Sequence, residues 1–150
     1  MDRKTLVIRE PGDGIAIGSP TGGRGTLKVG VEETAGLLSI HESLRTAGWP
    51  GGPPLHKHLF DEAFYVLEGE YTFQVGQRLV KASTGAFVYI PGGTVHTFRH
   101  DGEDVGRMLT VSTPGGIEEM FMAPDAETRA AAERKLGFET VGPPLAPDSH

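Results

Sequence analysis

Three histidines and one glutamate carry the chemistry legible in this chain. His56 and His58 stand two apart, Glu62 follows four residues later, and His96 lies behind Pro91-Gly92-Gly93. Neutral imidazole nitrogen together with carboxylate oxygen is the donor set that borderline divalent metals favour, and an open coordination position makes such a site catalytic. On a strand, residues i and i+2 face the same side about 7 Å apart, so the His56-x-His58 pair predicts a strand. A helix would not bring the pair together. Asp61 competes with Glu62 for the carboxylate role, but on a strand it faces the opposite side, which favours Glu62. His96 completes the set if its own strand pairs beside the first.

The elements that must position these residues read as short strands. The chain has 150 residues, enough for one domain with its own core. It holds 22 glycines and 11 prolines with no repeat period, which points to many tight turns. Alternating segments predict strands over Thr5–Arg9, Ile15–Ile17, Thr26–Val31, Ala35–Arg45, Leu55–His58, Ala63–Leu67, Tyr71–Val75, Leu79–Lys81, Ala86–Ile90, Val95–His100 and Val105–Ser112. In the fourth of these, Leu38, Ile40 and Leu44 alternate with Ser39, His41 and Ser43, giving one apolar and one polar face. Glycine-bearing corners at near-regular spacing suggest an antiparallel sandwich or barrel.

The C-terminal part changes character. Gly116–Met122 suits a short helix. Asp125–Leu136 is a stronger one, with Pro124 before it, Asp125 as cap and Gly137 at its end. Its apolar face is mostly alanine, which fits an outer cover on the sheet. Phe138–Val141 returns as a strand, and Gly142–His150 reads as a proline-rich, partly disordered tail.

Composition excludes several classes. The formal net charge is −6 and there is no long Lys/Arg cluster, so nucleic acid is not an expected partner. Cysteine is absent, which removes disulfides, thiolate nucleophiles and cysteine zinc sites. No signal-length apolar run opens the chain and no stretch of about 18 apolar residues occurs, so a cytoplasmic protein off the membrane is expected.

With these residues in view, the chain resembles the cupin family. The first family motif is matched by His56-x-His58, three residues, Glu62, six residues and Gly69. The second is matched by Gly85, five residues, Pro91-Gly92-Gly93, two residues and His96. The opening glycine, Gly51, is one residue out of register, and His100 stands where the family often has Asn. Pro53–Gly69, Gly116–Phe121 and Val141–Leu145 resemble small single-domain cupins of the quercetin-2,3-dioxygenase-like kind. The resemblance implies an all-β double-stranded β-helix, or jelly-roll barrel, as a single domain over 1–150. The barrel core would span about 26–113, and a C-terminal helix and tail 116–150. It also implies His56, His58, Glu62 and His96 as ligands of one divalent transition metal ion (Fe, Mn, Ni, Co, Cu or Zn), and a homodimer.

By period, Phe98 and His100 share the face of His96, and Ser39 shares a face with His41. With Phe64 these residues are candidates for a substrate pocket, while Val66, Phe73 and Val88 suit barrel packing. Trp49 is expected to pack on the outside. The resemblance implies a metal-dependent oxygenase acting on a small chelating substrate such as a flavonol, enediol or diketone, with Glu62 as base. The alternatives are a non-redox isomerase, cyclase or decarboxylase, and a non-catalytic small-ligand-binding protein.

Overall fold

The computed structural model describes residues 3–18, 24–46 and 52–146. The strands are β1 Ile15–Gly18, β2 Arg24–Val29, β3 Ser39–Arg45, β4 Pro54–Lys57, β5 Asp61–Glu68, β6 Glu70–Val75, β7 Arg78–Ser83, β8 Phe87–Ile90, β9 His96–His100, β10 Gly106–Thr113 and β11 Glu139–Pro144. One sheet runs β1-β2-β3-β10-β5-β8 and the other β11-β4-β9-β6-β7. Every pairing is antiparallel, and most neighbours are distant in sequence. The two sheets face each other as a jelly-roll barrel.

Period-two alternation decides what fills the barrel. Phe64 and Val66 from β5, Tyr71 and Phe73 from β6, Ile90, Phe98 and Met108 pack as one buried cluster between the sheets. Their odd-numbered neighbours Tyr65, Phe87 and Tyr89 point outward and stay exposed. A second cluster of Phe60, Ile117, Met120, Ala132 and Leu136 lies under two C-terminal helices, α2 (Glu118–Phe121) and α3 (Ala126–Leu136). The α3 helix is built as its sequence predicts. The Asp125 carboxylate accepts the Thr128 backbone N–H at 2.7 Å, and Gly137 adopts the left-handed conformation, φ 67°, that ends it.

Three expectations are corrected. Thr5–Arg9 does not join a sheet. Lys4 makes an isolated bridge to Thr34, and Leu6 and Ile8 lie exposed because no face awaits their side chains. The strand expected from Ala35 begins at Ser39, because Val31–Thr34 closes a helical turn and Ala35 turns out of it at φ 52°. The expected tail continues as strand through Pro144, with Gly142 opposite Leu55 and Pro144 opposite Pro54. Prolines are tolerated there because β11 is an edge strand. Trp49 lies outside the described residues, as does the end of the tail. No described helix is long and apolar enough to cross a membrane.

Candidate metal centre

The site is assembled where two turns meet. β4 carries His56 directly opposite His96 of β9. The loop before β9 is tied to the end of β4: the Gly93 N–H donates to the His58 carbonyl at 2.7 Å, and the Gly92 N–H donates to Asp61 Oδ1 at 2.7 Å. Gly93 sits at φ 85°, which a side chain would strain. Asp61 is thus occupied in holding the turn, on the opposite side of β5 from Glu62.

His56, His58, Glu62 and His96 are all buried, and one ligand-type atom from each lies within 4.8 Å of the others. Backbone carbonyls orient the rings. His56 Nδ1 meets the Pro54 carbonyl at 2.7 Å, His58 Nδ1 the Phe60 carbonyl at 2.9 Å and His96 Nδ1 the Thr94 carbonyl at 2.8 Å. A carbonyl only accepts, so each Nδ1 carries the hydrogen and each Nε2 lone pair is turned inward. Ring packing reinforces this. Phe60 stacks on His58 at 3.7 Å between centroids and Phe138 stacks on His56 at 4.6 Å.

Glu62 Oε1 lies 2.6 Å from His58 Nε2 and 3.1 Å from His96 Nε2. Lone pair would face lone pair at those distances unless positive charge, a proton or a metal ion, lies between. Burial pushes the Glu62 carboxyl up, but the hydrogen bonds and charge of His58 and His96 outweigh it and hold the group below the ordinary carboxylate range. Burial and the neighbouring charge of His96 lower His56 to about 4, which keeps its Nε2 available as a ligand. Three pre-oriented imidazole nitrogens and one carboxylate fit a divalent transition metal.

A cavity of about 290 Å³ opens over the four residues. Phe64, Phe98 and His41 of the sequence-derived pocket set line it. Ser39 and His100 do not. The Ser39 hydroxyl donates to Glu118 Oε1 at 2.6 Å and accepts the Gly116 N–H at 2.9 Å, a tie between β3 and α2. His100 sits farther along β9 against Tyr71, 5.3 Å between ring centroids. Sequence reasoning missed Ser43, Arg45 and the C-terminal contributions Met120, Phe121, Arg129 and Phe138. The inward period of β3 was a signal for the first two. Nothing local could place the others.

An antiparallel jelly roll with a buried three-histidine, one-carboxylate cluster facing its cavity defines a class of barrel whose site could hold a metal ion. Residues 47–112, which include all four of these residues, match the cupin domain model, and the fold agrees with that of solved cupins. It is 37% identical over 57 residues to an uncharacterized protein of Streptomyces coelicolor, covering 38% of this chain and 53% of that protein. It is 34% identical over 67 residues to quercetin 2,3-dioxygenase of Bacillus subtilis, covering 44% of this chain and 20% of that enzyme. The chain thus matches about half or less of the length of these curated relatives. An RmlC-like cupin from Shewanella frigidimarina superposes with TM-score 0.64 at 15% identity, covering 79% of this chain and 98% of the other. The polyketide cyclase RemF from Streptomyces resistomycificus superposes with TM-score 0.61 at 20% identity, covering 73% and 80%. These two likenesses concern the fold.

Proposed function

We propose that this protein is a metal-dependent oxygenase acting on a small chelating substrate such as a flavonol, enediol or diketone. The observation that carries the reading is the donor set: three imidazoles with their Nε2 atoms turned inward beside Glu62, in the wall of a largely apolar cavity. The match to quercetin 2,3-dioxygenase, 34% identical over 67 residues, supports the oxygenase choice. A bound divalent metal would act as a Lewis acid toward the substrate's oxygens and hold O2 beside them.

The chain's own residues do the rest. His56, His58 and His96 hold the ion, each ring locked by its carbonyl and two of them by a stacked phenyl ring. Glu62 is the buried carboxylate in the cavity wall that takes the proton of a substrate hydroxyl. Phe64 and Phe98 flank a flat substrate and keep bulk water from it.

Metal analysis of protein from its native source, with O2-uptake screening on flavonols and diketones, tests the reading. Metal-dependent O2 consumption is expected, with loss of activity in Glu62→Gln while the metal is retained. Full activity in Glu62→Gln removes the base role. Turnover that continues without O2 replaces the oxygenase with a non-redox Lewis-acid enzyme.

A further inference from the structure

In the wall of the cavity that holds the metal-ligand cluster, β3 presents a second set of polar groups with no role in that cluster. His41, Ser43 and Arg45 all face inward, each buried. The register explains why. Across the sheet, His41 pairs with Thr110 and Thr110 with Phe64, while Ser43 pairs with Met108 and Met108 with Val66. The β3 side chains therefore share the face that holds the apolar core. Burying polar groups there is unfavourable unless they meet a partner. His41 Nδ1 and Ser43 Oγ are buried with no hydrogen-bond partner among the described residues.

Charge adds direction. The Arg45 guanidinium lies over the Phe98 ring at 5.8 Å. Phe98 is one inward position, about 7 Å, along β9 from the ligand His96. Arg129 is engaged by Glu133 Oε1 at 3.0 Å and the Met120 carbonyl, and Arg24 is exposed. Arg45 thus sets a buried positive charge over the ring one inward position from the ligand His96, on the strand that also carries His41 and Ser43.

The geometry points to His41, Ser43 and Arg45 as a recognition wall for a substrate carboxylate, so that the substrate chelates through one end and is anionic at the other. This rests on the reading of His56, His58, Glu62 and His96 as a metal centre. A guanidinium fork suits the two oxygens of a carboxylate, Ser43 can donate to one of them, and His41 can meet a polar group nearer the metal.

The test uses the full chain loaded with cobalt(II) and two β-diketone probes. One is 4,6-dioxoheptanoate, which carries a carboxylate two carbons beyond the diketone. The other is neutral 2,4-heptanedione. Calorimetric titration is expected to show the anionic probe binding at least about tenfold more tightly, the size of one charge-assisted hydrogen bond. Arg45→Met keeps the apolar stem and should erase that preference while leaving the affinity for 2,4-heptanedione unchanged. Ser43→Ala should reduce the preference by a smaller factor, and it serves if Arg45→Met does not fold. Equal binding of the two probes, binding of neither, or a preference that survives both substitutions overturns the recognition wall. The metal reading fails separately: the cobalt(II) absorption spectrum then stays unchanged as 2,4-heptanedione is added to the unaltered protein.

Discussion

The two walls of this barrel interior obey opposite rules. Apart from Glu62 and His96, the inward residues along β5, β6 and β9 include Phe64, Val66, Tyr71, Phe73 and Phe98, close-packed in one cluster. Along β3 they are Ser39, His41, Ser43 and Arg45, equally buried, while Leu44 on the outward face is 38% exposed. The outward face of β3 thus carries Ile40, Glu42 and Leu44, half-buried to exposed. A strand pairs by backbone, so its register accepts either face inward, and burial of apolar area argues for the reverse of what is seen. The apolar wall is explained by stability. The β3 wall is explained by ligand, except for Ser39, whose two hydrogen bonds make it structural.

Substitutions on each wall separate these explanations. The largest effect on stability is expected from Phe73→Ala. Phe73 is fully buried and rings from Phe64 and Phe98 pack on it at 5.2 and 5.5 Å, so truncation should cost about 3–5 kcal/mol in urea unfolding. Next comes acid. Burial lowers His41 from 6.5 to about 4, so between those values the unfolded chain takes up a proton that the folded chain refuses. The associated stability is complete above pH 6.5 and is lost as pH falls toward 4, by up to about 3 kcal/mol. His41→Leu should flatten the fall in unfolding midpoint between pH 7 and pH 4.5 relative to the unaltered protein. An unchanged slope would show that His41 does not carry it.

Ser39→Ala comes third. It strips the Glu118 carboxylate and the Gly116 N–H of a buried partner and should cost about 1–3 kcal/mol. The smallest effect belongs to Ser43→Ala. Its hydroxyl has no partner to lose, so thermal stability should be unchanged or raised by about 1 kcal/mol. A large loss at Ser43 would place it with Ser39 as structure and end the contrast between the walls.

The strand pattern of the chain was legible because alternation and turn residues are local signals. β5 through β10 fall where the sequence places them, within a residue or two at their ends. The failures are equally physical. Thr5–Arg9 alternates like a strand, but it meets the body through single contacts, such as the Thr5 N–H to the Glu33 carbonyl at 2.8 Å, and forms no ladder. The Val31–Thr34 turn is too short for helical periodicity to show. Phe138 was read as the start of a strand, but its stacking on His56 depends on the return of β11 beside β4.

The sequence by itself determined the ligand types, the strand face shared by His56 and His58, and the turn before His96. These depend on residue identity and on a backbone period that is the same in any sheet. Only the tertiary structure decided that β4 and β9 pair, that the polar face of β3 turns inward, and that helices α2 and α3 contribute to the cavity wall. Those outcomes depend on which strands become neighbours across dozens of residues. Two-sided patterning leaves that open until both sheets and the C-terminal helices pack together.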